Sequence, residues 1–427
     1  MQTRLKDGDH AGIIGGGPAG SFAAIHLLNL ARQHNLDLQV TIFEPRDFNR
    51  PGPGGCNRCA GILSSRLLSG LNRLGIQLPP DVIQAELQTY AIYLDDETLE
   101  IQQPDPSRRI VSIYRGGGPR LLQGPSPASF DTYLLKKAVA LGAKHLPQRV
   151  RAVRWKKRPV IHTGRNRFPV DFLVLATGIN SRPPLSAAFG YHPPRTELMV
   201  QDEILRPSSW SDDQVRAYFR EPSGLFFGAL IPKGKYINIS LLGKGLTINS
   251  IEDFIAAQNL SQDLQFAPES SLCGCTPRIA ISSARHFYGN RWVAVGDAAV
   301  TRLYKDGIGS AFYAAQAAMR IAIERGISRR AFGLWYAPYC RRITHDNLYG
   351  RLLFALWKLT IRSKIFLHAW INAVRSEQKA PSQEHVHSRI LWGMLTGDEP
   401  YKSLFWLSVR PQVVWDILRH IKSYLRS

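Results

Sequence analysis

The sequence of 427 residues contains only five cysteines. This number is odd and too small for the disulfide framework of a small secreted protein, so we expect a reducing, cytoplasmic location. The sequence also lacks an uninterrupted apolar run of about 18 residues, and we therefore predict no membrane-spanning helix. It contains no internal repeat and no low-complexity tract.

Acidic residues are scarce: 33 Asp and Glu stand against 54 Lys and Arg, which gives a formal net charge of +21. Such a charge favours anionic partners, namely nucleic acid, phosphate-bearing ligands or an anionic membrane face. We find no recognised nucleic-acid-binding motif and expect no nucleic-acid partner. Because 44% of the residues are hydrophobic, the chain can form a large core, and its length predicts two to three domains or one large α/β unit.

A glycine-rich turn lies near the N-terminus between a predicted strand and a predicted helix. Residues 11–14 have the pattern of a short buried strand, GGGPAG follows at 15–20, and residues 21–33 have helical periodicity. Residues 38–43 form the next predicted strand, which ends at Glu44. Strand, turn, helix, strand and acid in this order predict a βαβ unit that binds a dinucleotide.

Each glycine of this turn has a separate physical role. Gly15 permits the tight turn, Gly17 allows the backbone to approach a pyrophosphate, and Gly20 allows the helix to pack closely on the strand. The phosphates would meet the positive end of the helix that begins near Pro18. Glu44 would accept hydrogen bonds from the adenosine ribose hydroxyls.

A second glycine-rich motif follows the predicted buried strand 292–295. Asp297, in the sequence VGDAA, can hold a polyol hydroxyl at the end of this strand. Gly307 and Gly309 open a predicted helix that extends to about residue 324, and its positive end can stabilise a developing anion such as the N1/O2 edge of a reduced flavin. A Gly-Asp pair on its own is also a common turn.

Together the two motifs resemble those of FAD-dependent oxidoreductases of the p-hydroxybenzoate hydroxylase-like superfamily, and within it the pattern is most similar to the geranylgeranyl reductase family. The resemblance rests on residues 15–20, Glu44, DFLVLATG at 171–178, VGDAA at 295–299 and GIGSA at 307–311. It implies FAD as cofactor, with NAD(P)H or another external electron donor. The residues expected to bind FAD are Gly15, Gly17, Pro18, Ala19, Gly20, Glu44, Gly178, Gly296, Asp297, Gly307, Ile308 and Gly309.

The resemblance also implies an α/β fold, in which a Rossmann-like FAD-binding domain is interleaved with a mainly antiparallel β substrate domain and followed by a helical C-terminal region. We expect the discontinuous FAD-binding domain at residues 8–190 and 273–330. Short alternating segments predict the β-rich domain at 191–272. A change of composition marks residues 331–427.

The segment at 224–243 resembles the geranylgeranyl reductase signature, an aromatic-rich strand that ends in Phe-Pro-Lys-Gly beside a long apolar cavity. Phe227 stands for the usual tyrosine, Ala229 for the tryptophan, and Ile231 for the phenylalanine before Pro232, so the pocket is reshaped. The resemblance implies that these four residues line a cavity for an apolar isoprenoid-like, lipid or quinone substrate whose C=C bonds are reduced. The residues alone also fit an ordinary amphipathic strand.

Two other functions remain open from the sequence. Related monooxygenases have Ala-Asp-Gly where this chain has Ala176-Thr177-Gly178, which weakens a hydroxylase reading and leaves the direct hydride donor open. A flavin monooxygenase is nevertheless one alternative. A non-catalytic protein that binds flavin or a membrane surface is the other.

Four of the cysteines occur in pairs, Cys56 with Cys59 and Cys273 with Cys275. The geranylgeranyl reductases commonly carry a cysteine in the loop that holds the first pair, so Cys56 and Cys59 are the candidate catalytic thiols. If all four converge, they could form a redox dithiol, a zinc site or an iron–sulfur cluster, and they could equally be inert. Cys340 is expected to be structural.

The region 331–427 is basic and rich in tryptophan. It holds 14 Lys and Arg against six Asp and Glu, and six of the nine tryptophans of the chain. Residues 352–374 are predicted to be helical. The region fits either a helical cap with solvated charges or an interfacial element that contacts an anionic membrane surface.

Overall fold

The computed structural model describes residues 3–56, 60–94, 97–164, 166–219, 224–379 and 384–426. Most of its strands belong to two larger sheets, and two three-stranded sheets accompany them. The strands are β1 (His10–Ile14), β2 (Gln39–Phe43), β3 (Ile62–Leu63), β4 (Ile83–Glu86), β5 (Thr89–Leu94), β6 (Glu97–Gln102), β7 (Val111–Ile113), β8 (Lys144–Leu146), β9 (Ala152–Trp155), β10 (Pro159–Thr163), β11 (Asn166–Pro169), β12 (Phe172–Leu175), β13 (Thr196–Leu205), β14 (Gln214–Tyr218), β15 (Leu225–Lys233), β16 (Tyr236–Gly243), β17 (Arg278–Ala280), β18 (Tyr288–Gly289) and β19 (Trp292–Ala294).

The helices include one that begins directly after the glycine-rich turn at 15–20, one that begins at Gly307, and a C-terminal group of five. They are α1 (Pro18–Gln33), α2 (Ser65–Arg73), α3 (Phe130–Ala140), α4 (Ser250–Ala257), α5 (Gly307–Glu324), α6 (Arg329–Ala331), α7 (Ala337–Arg362), α8 (Lys364–Gln378), α9 (Val386–Thr396), α10 (Tyr401–Ser408) and α11 (Pro411–Tyr424). A π-helical stretch, Phe332–Tyr336, joins α6 to α7. In the described parts of the chain, no helix combines the length and the apolar composition needed to cross a membrane.

The first larger sheet has six strands in the order β18-β19-β12-β1-β2-β8 and is parallel except for the pair β18–β19. Its central strands are short apolar runs because both faces of the sheet are buried, one against α1, α3 and α5 and the other against the three-stranded sheet of β9 to β11. In the strand register, Ile14 lies beside both Leu175 and Phe43. The segments that follow these three strands therefore meet at one edge of the sheet, which is where ligands bind in α/β folds.

The second larger sheet has seven strands in the order β17-β13-β16-β15-β14-β5-β6. Its pairs are antiparallel except β14–β5. Only β13 to β16 come from the range 191–272 that the sequence predicts for the β-rich domain, because β5 and β6 join the edge of the sheet through the long-range pair β14–β5. The sheet is therefore assembled from three separate parts of the chain.

The C-terminal helices pack on this second sheet. Buried side chains of α7, α8 and α9 form one apolar cluster with Tyr90 and Ile92 of β5 and Val215 of β14. Residues 352–374 are helical, as predicted, except at Ser363, which interrupts the helix between α7 and α8. Ser363 has extended backbone angles, and its hydroxyl accepts a hydrogen bond from the amide of Phe366, so it acts as the N-cap of α8.

Candidate functional site

A cavity of about 720 Å³ lies where the edge of the parallel sheet, the seven-stranded sheet and the C-terminal helices meet. This volume is within the range of small-molecule and cofactor sites. One end is lined by the glycine-rich turn after β1 and the other by apolar side chains. Of the residues predicted to bind cofactor or substrate, those that line it are Gly15, Gly17, Pro18, Ala19, Glu44, Cys56, Gly178, Phe227, Ala229, Ile231, Asp297, Gly307 and Ile308.

The turn after β1 tolerates only glycine at two positions. Gly15 has a φ of +101°, and a Cβ atom there would lie 2.5 Å from the carbonyl oxygen of Ala176. A Cβ at Gly20 would lie 1.8 Å from the carbonyl oxygen of Gly15. Gly20 lies outside the cavity lining and serves the close packing of α1 on the turn, which is the role predicted for it. α1 has no acidic residue in its own first turn, and its positive end faces the cavity.

Glu44 is buried at the end of β2, with its side chain against the glycine-rich turn. Its Oε2 accepts a hydrogen bond of 3.0 Å from the amide of Gly16. Its Oε1 accepts bonds from the backbone amide and Nε of Arg46, at 3.0 and 3.1 Å. Oε2 also accepts a longer bond of 3.4 Å from Nη2 of Arg46. These contacts fix the carboxylate at the cavity wall, and its oxygens retain lone pairs that can accept a hydroxyl.

The second glycine-rich motif lines the same cavity next to the first, since α5 packs on α1. Asp297, Gly307 and Ile308 line it, and α5 begins at Gly307 with no acidic residue in its first turn. Burial raises the pKa of Asp297. Gly296 and Gly309 lie behind this surface: a Cβ atom on Gly296 would be 2.8 Å from Cβ of Ala19, and one on Gly309 would clash with Asp306. The positive ends of α1 and α5 thus open on one cavity.

Two further observations test whether a dinucleotide fits. The hydroxyl of Thr177 is buried and has no hydrogen-bond partner among the described residues, and Thr177 lines the cavity. Gly178 has a φ of +63°, and the position of its missing Cβ is open space. An unsatisfied polar atom and two neighbouring helix N-termini suit a ligand that is itself polar and anionic. The residues expected to bind FAD therefore fit a dinucleotide.

The other end of the cavity is an apolar chamber. Phe227, Ala229 and Ile231 alternate along β15 and line it, as predicted for these three residues. Pro232 does not line it, because successive residues of a strand point to opposite faces. Sequence reasoning missed the other large side chains of the chamber, which come from at least five separate segments of the chain. They are Tyr90, Phe219, Phe226, Tyr304, Phe354, Trp357, Leu391, Met394 and Leu395.

The loop between Asp297 and α5 adds charged groups that the sequence motifs did not indicate. Lys305 lines the cavity, with Nζ over the ring of Phe227. Burial lowers the pKa of Lys305 to about 7. Burial raises the pKa of the next residue, Asp306, to about 6, and its Oδ1 accepts a hydrogen bond of 2.9 Å from the hydroxyl of Ser64. No periodicity or motif marks this loop, because its burial depends on contacts with distant parts of the chain.

The paired cysteines occupy two neighbouring places. Cys56 lines the cavity, and Cys59 lies outside the described residues. A hydrogen bond from Cys275 lowers the pKa of the Cys273 thiol. Cys56 and Cys273 both lie near Tyr114, whose pKa is raised mainly by burial. Among the described residues, no group of three or more His, Cys, Asp or Glu side chains is placed to hold a metal ion. The chemical role of the four paired cysteines stays a prediction.

Cys340 was expected to be structural. It lies in the largest apolar cluster, and burial raises the pKa of its thiol to about 12. A thiol with so high a pKa is a poor nucleophile at neutral pH. Its environment agrees with that expectation.

No family model and no curated protein match the chain. Several solved structures are similar to it. A geranylgeranyl bacteriochlorophyll reductase-like protein from Thermoplasma acidophilum is 17% identical, with a TM-score of 0.59 over 98% of this chain and 96% of that one. A flavoprotein/dehydrogenase from Cytophaga hutchinsonii is 16% identical, with a TM-score of 0.63 over 97% and 98%.

A third structure, 2-methyl-3-hydroxypyridine-5-carboxylic acid oxygenase, is 17% identical, with a TM-score of 0.58 over 84% of this chain and 94% of that one. The chain has the fold of FAD-dependent oxidoreductases. The resemblance drawn from the sequence motifs is thereby confirmed at the level of the fold, including the α/β architecture with a helical C-terminal region.

Proposed function

We propose that the protein is an FAD-dependent reductase that saturates C=C bonds of an apolar, isoprenoid-like substrate. The observation that carries the proposal is the continuity of one cavity, from the glycine-rich turn at Gly15 to the aromatic chamber around Phe227 and Trp357. A cofactor cradled at one end would present its reactive ring to a substrate at the other end. The similarity in fold to a reductase-like protein agrees with this reading.

The chain's own residues divide the binding of FAD between the two motifs. Gly15, Gly17 and the first turn of α1 would hold the pyrophosphate, and Glu44 the adenosine ribose. Asp297 and the first turn of α5, which begins at Gly307, would face the flavin half. Bound and reduced by an external donor such as NAD(P)H, FAD supplies a hydride.

The lining of the chamber indicates the class of substrate. Aromatic and aliphatic side chains from β5, β15, α7 and α9 surround it, so a substrate is held chiefly by removal of apolar surface from water. Such a lining suits a hydrocarbon chain. Ala229 and Ile231, smaller than the tryptophan and phenylalanine usual in the geranylgeranyl reductase signature, leave more space beside the wall.

Reduction of a C=C bond needs a hydride at one carbon and a proton at the other. Lys305 is the group in the chamber wall best suited to hold this proton, at Nζ. Its pKa of about 7 lets it carry a proton at neutral pH and release it readily. Its position over Phe227 aims the ammonium group along the aromatic wall. Substrate protonation by Lys305 would complete the net addition of two hydrogens.

The proposal is tested with purified protein. Flavin bands in the visible spectrum and an isoprenoid found by mass spectrometry in its lipid extract are the expected results. Incubation with polyprenyl lipids and chemically reduced FAD without oxygen should raise substrate mass by two hydrogens for each bond reduced. A folded preparation that takes up no FAD in calorimetry contradicts the cofactor assignment, and one that binds FAD but leaves every polyprenyl lipid unchanged contradicts the reaction.

A flavin monooxygenase is the second candidate, favoured by the similarity in fold to an oxygenase. The two reactions differ in their use of oxygen. A monooxygenase consumes one O₂ for each product and adds an oxygen atom, whereas the reductase works without oxygen. Oxygen-electrode measurements during turnover, with product mass recorded in parallel, distinguish the two.

A further inference from the structure

The helical C-terminal region exposes far more apolar surface than the rest of the chain. Of the twenty large hydrophobic side chains exposed among the described residues, fourteen belong to residues 331–427. Scattered exposed leucines are ordinary on a protein surface, but a concentration of this kind marks an interaction surface. These helices therefore carry a surface that is suited to a partner.

The last helix, α11, has two apolar faces. One face packs on α8, with Val413 buried and the ring of Tyr424 against that of His368 at 4.8 Å. The other face holds Trp415 and Leu418, which are 69% and 52% exposed. Leu425, just after the helix, is 67% exposed. Helical spacing places Leu418 next to Trp415 on the outer side.

Basic side chains border this outer face. Arg419, Lys422 and Arg426 lie among the exposed apolar residues, Arg410 precedes the helix, and Asp416 is the one acidic residue of α11. An amphipathic helix with tryptophan and leucine on its outer face and Lys and Arg at the borders is suited to the interface of a bilayer, where apolar groups enter the headgroup boundary and cations meet anionic lipid.

A second exposed stripe lies on α7 of the same helical region. Leu348, Leu352, Leu356 and Leu359 are about half exposed, and their spacings of four, four and three residues place them on one face of the helix. α7 and α11 are linked through α10, which packs on both. The helices that close the substrate chamber thus belong to the same region as α11.

We propose that the outer face of α11 docks the protein on an anionic lipid bilayer, with Trp415, Leu418 and Leu425 in the headgroup boundary. Charge complementarity favours an anionic bilayer as the partner, because the borders of the face are basic and the whole chain has a net charge of +21. The docking surface is independent of the proposed reaction and can be tested without substrate.

The test is sedimentation with vesicles of phosphatidylcholine, with and without phosphatidylglycerol. The full-length protein should sediment with the anionic vesicles and remain in the supernatant with neutral ones. Replacing Arg419, Lys422 and Arg426 together by Gln should weaken binding about a hundredfold, at about fivefold for each cation. The double variant Trp415→Ser, Leu418→Ser should weaken it at least about tenfold.

The chain offers matched controls elsewhere on its surface. Trp155 is exposed in the three-stranded sheet of β9 to β11, and Trp155→Ser should leave vesicle binding unchanged. Arg154, Lys156 and Lys157 are exposed in the same sheet and its turn, and their replacement by Gln removes the same charge as the α11 triple variant. If both triple variants lost vesicle binding equally, the loss would be explained by the lower net charge alone. This result would overturn the assignment of the docking surface to α11.

Two other results would overturn the proposal. The first is that the wild-type protein does not sediment with anionic vesicles. Sedimentation velocity could instead reveal a dimer that Trp415→Ser, Leu418→Ser converts to monomers, and the outer face would then be covered by a second copy of the chain. Circular dichroism and the flavin spectrum of every variant show whether the variant is folded, and so distinguish the loss of the docking surface from unfolding.

Discussion

The ammonium nitrogen of Lys305 lies 4.0 Å from the centre of the Phe227 ring. The aromatic face stabilises the cation, while burial acts against it and lowers the pKa of Lys305 to about 7. A lysine in this state exchanges protons at neutral pH, which an exposed lysine with its pKa near 10.5 does rarely. This pair connects the loop before α5 to the wall of the apolar chamber on β15.

Lys305→Met should slow substrate reduction at least about a hundredfold, because the proton donor is lost. In the wild type, the single-turnover rate should fall as the pH rises through about 7, since Lys305 then loses its proton. Lys305→Arg keeps the cation but binds its proton too tightly, so it should be slow and should lack this pH dependence. FAD affinity should be unchanged in both variants; a wild-type pH profile in Lys305→Met would contradict the assignment.

Gly15→Ala should abolish FAD binding and lower the free energy of unfolding by about 1–3 kcal/mol. The new Cβ would lie 2.5 Å from the carbonyl oxygen of Ala176, in addition to the strain of a φ of +101°. Gly124→Ala is the matched control, since Gly124 has a φ of +93° and no atom within 4 Å of the missing Cβ. Calorimetric titration with FAD and urea unfolding measure both effects, and normal FAD binding in Gly15→Ala would refute the role of the turn.

Ala229→Trp should reduce the chain length of the substrates that the protein accepts, without changing its affinity for FAD. Ala229 lines the chamber in the middle of β15, and an indole there would fill space beside Phe227 and Ile231. We expect FAD to bind as in the wild type, while long polyprenyl substrates lose turnover more than short ones. Turnover of a series of chain lengths is the measurement, and equal losses at every length would mean that Ala229 does not border the substrate.

His26 should make the protein less stable in acid. It is buried on α1 beside the ring of Phe312, and burial lowers its pKa from 6.5 to about 4. Between pH 6.5 and 4 the unfolded chain therefore binds a proton that the folded chain does not, so stability falls as the pH falls through this window, by up to about 3 kcal/mol.

His26→Leu should remove this part of the acid loss, whereas His34→Leu at the exposed C-terminal end of α1 should not. Urea unfolding at a series of pH values measures the difference. Parallel stability curves for the wild type and His26→Leu across the window would show that His26 is not responsible.

Asp398 connects the C-terminal region to residues earlier in the chain. Its buried carboxylate accepts hydrogen bonds from the amide and hydroxyl of Ser65 and lies 3.4 Å from Arg108. Asp398→Ala should cost about 2 kcal/mol, the range for hydrogen bonds to a charged group. Asp105 pairs with the same arginine on the surface, so Asp105→Ala should cost less than about 1 kcal/mol. Equal effects would contradict the importance of burial.

Local sequence was sufficient to predict the cofactor half of the molecule. The helix predicted from residue 307 to about 324 has those bounds, and β1 and β2 differ from the predicted strands by one residue at their starts. These elements could be predicted because their glycines, caps and apolar periodicity act within a few residues.

The substrate half depended on contacts that local patterns do not contain. Tyr90 and Trp357 line one chamber although they are distant in sequence, and Lys305 is buried only because such segments meet around it. Ser363 lies inside an apolar pattern that continues across it, so periodicity alone did not reveal the interruption between α7 and α8 at this residue. The alternation along β15 could have been used to exclude Pro232, since Phe227, Ala229 and Ile231 already define the inward face.

The walls of the chamber contributed by α7 and α9 belong to the last quarter of the chain, whereas the glycine-rich turns lie before it. Side chains such as Phe354 and Met394 can thus be exchanged without altering a residue of either turn. Under the proposed function, variation confined to the C-terminal helices would change which hydrocarbons are accepted while the FAD-binding residues stay constant, and natural or laboratory diversification would concentrate there.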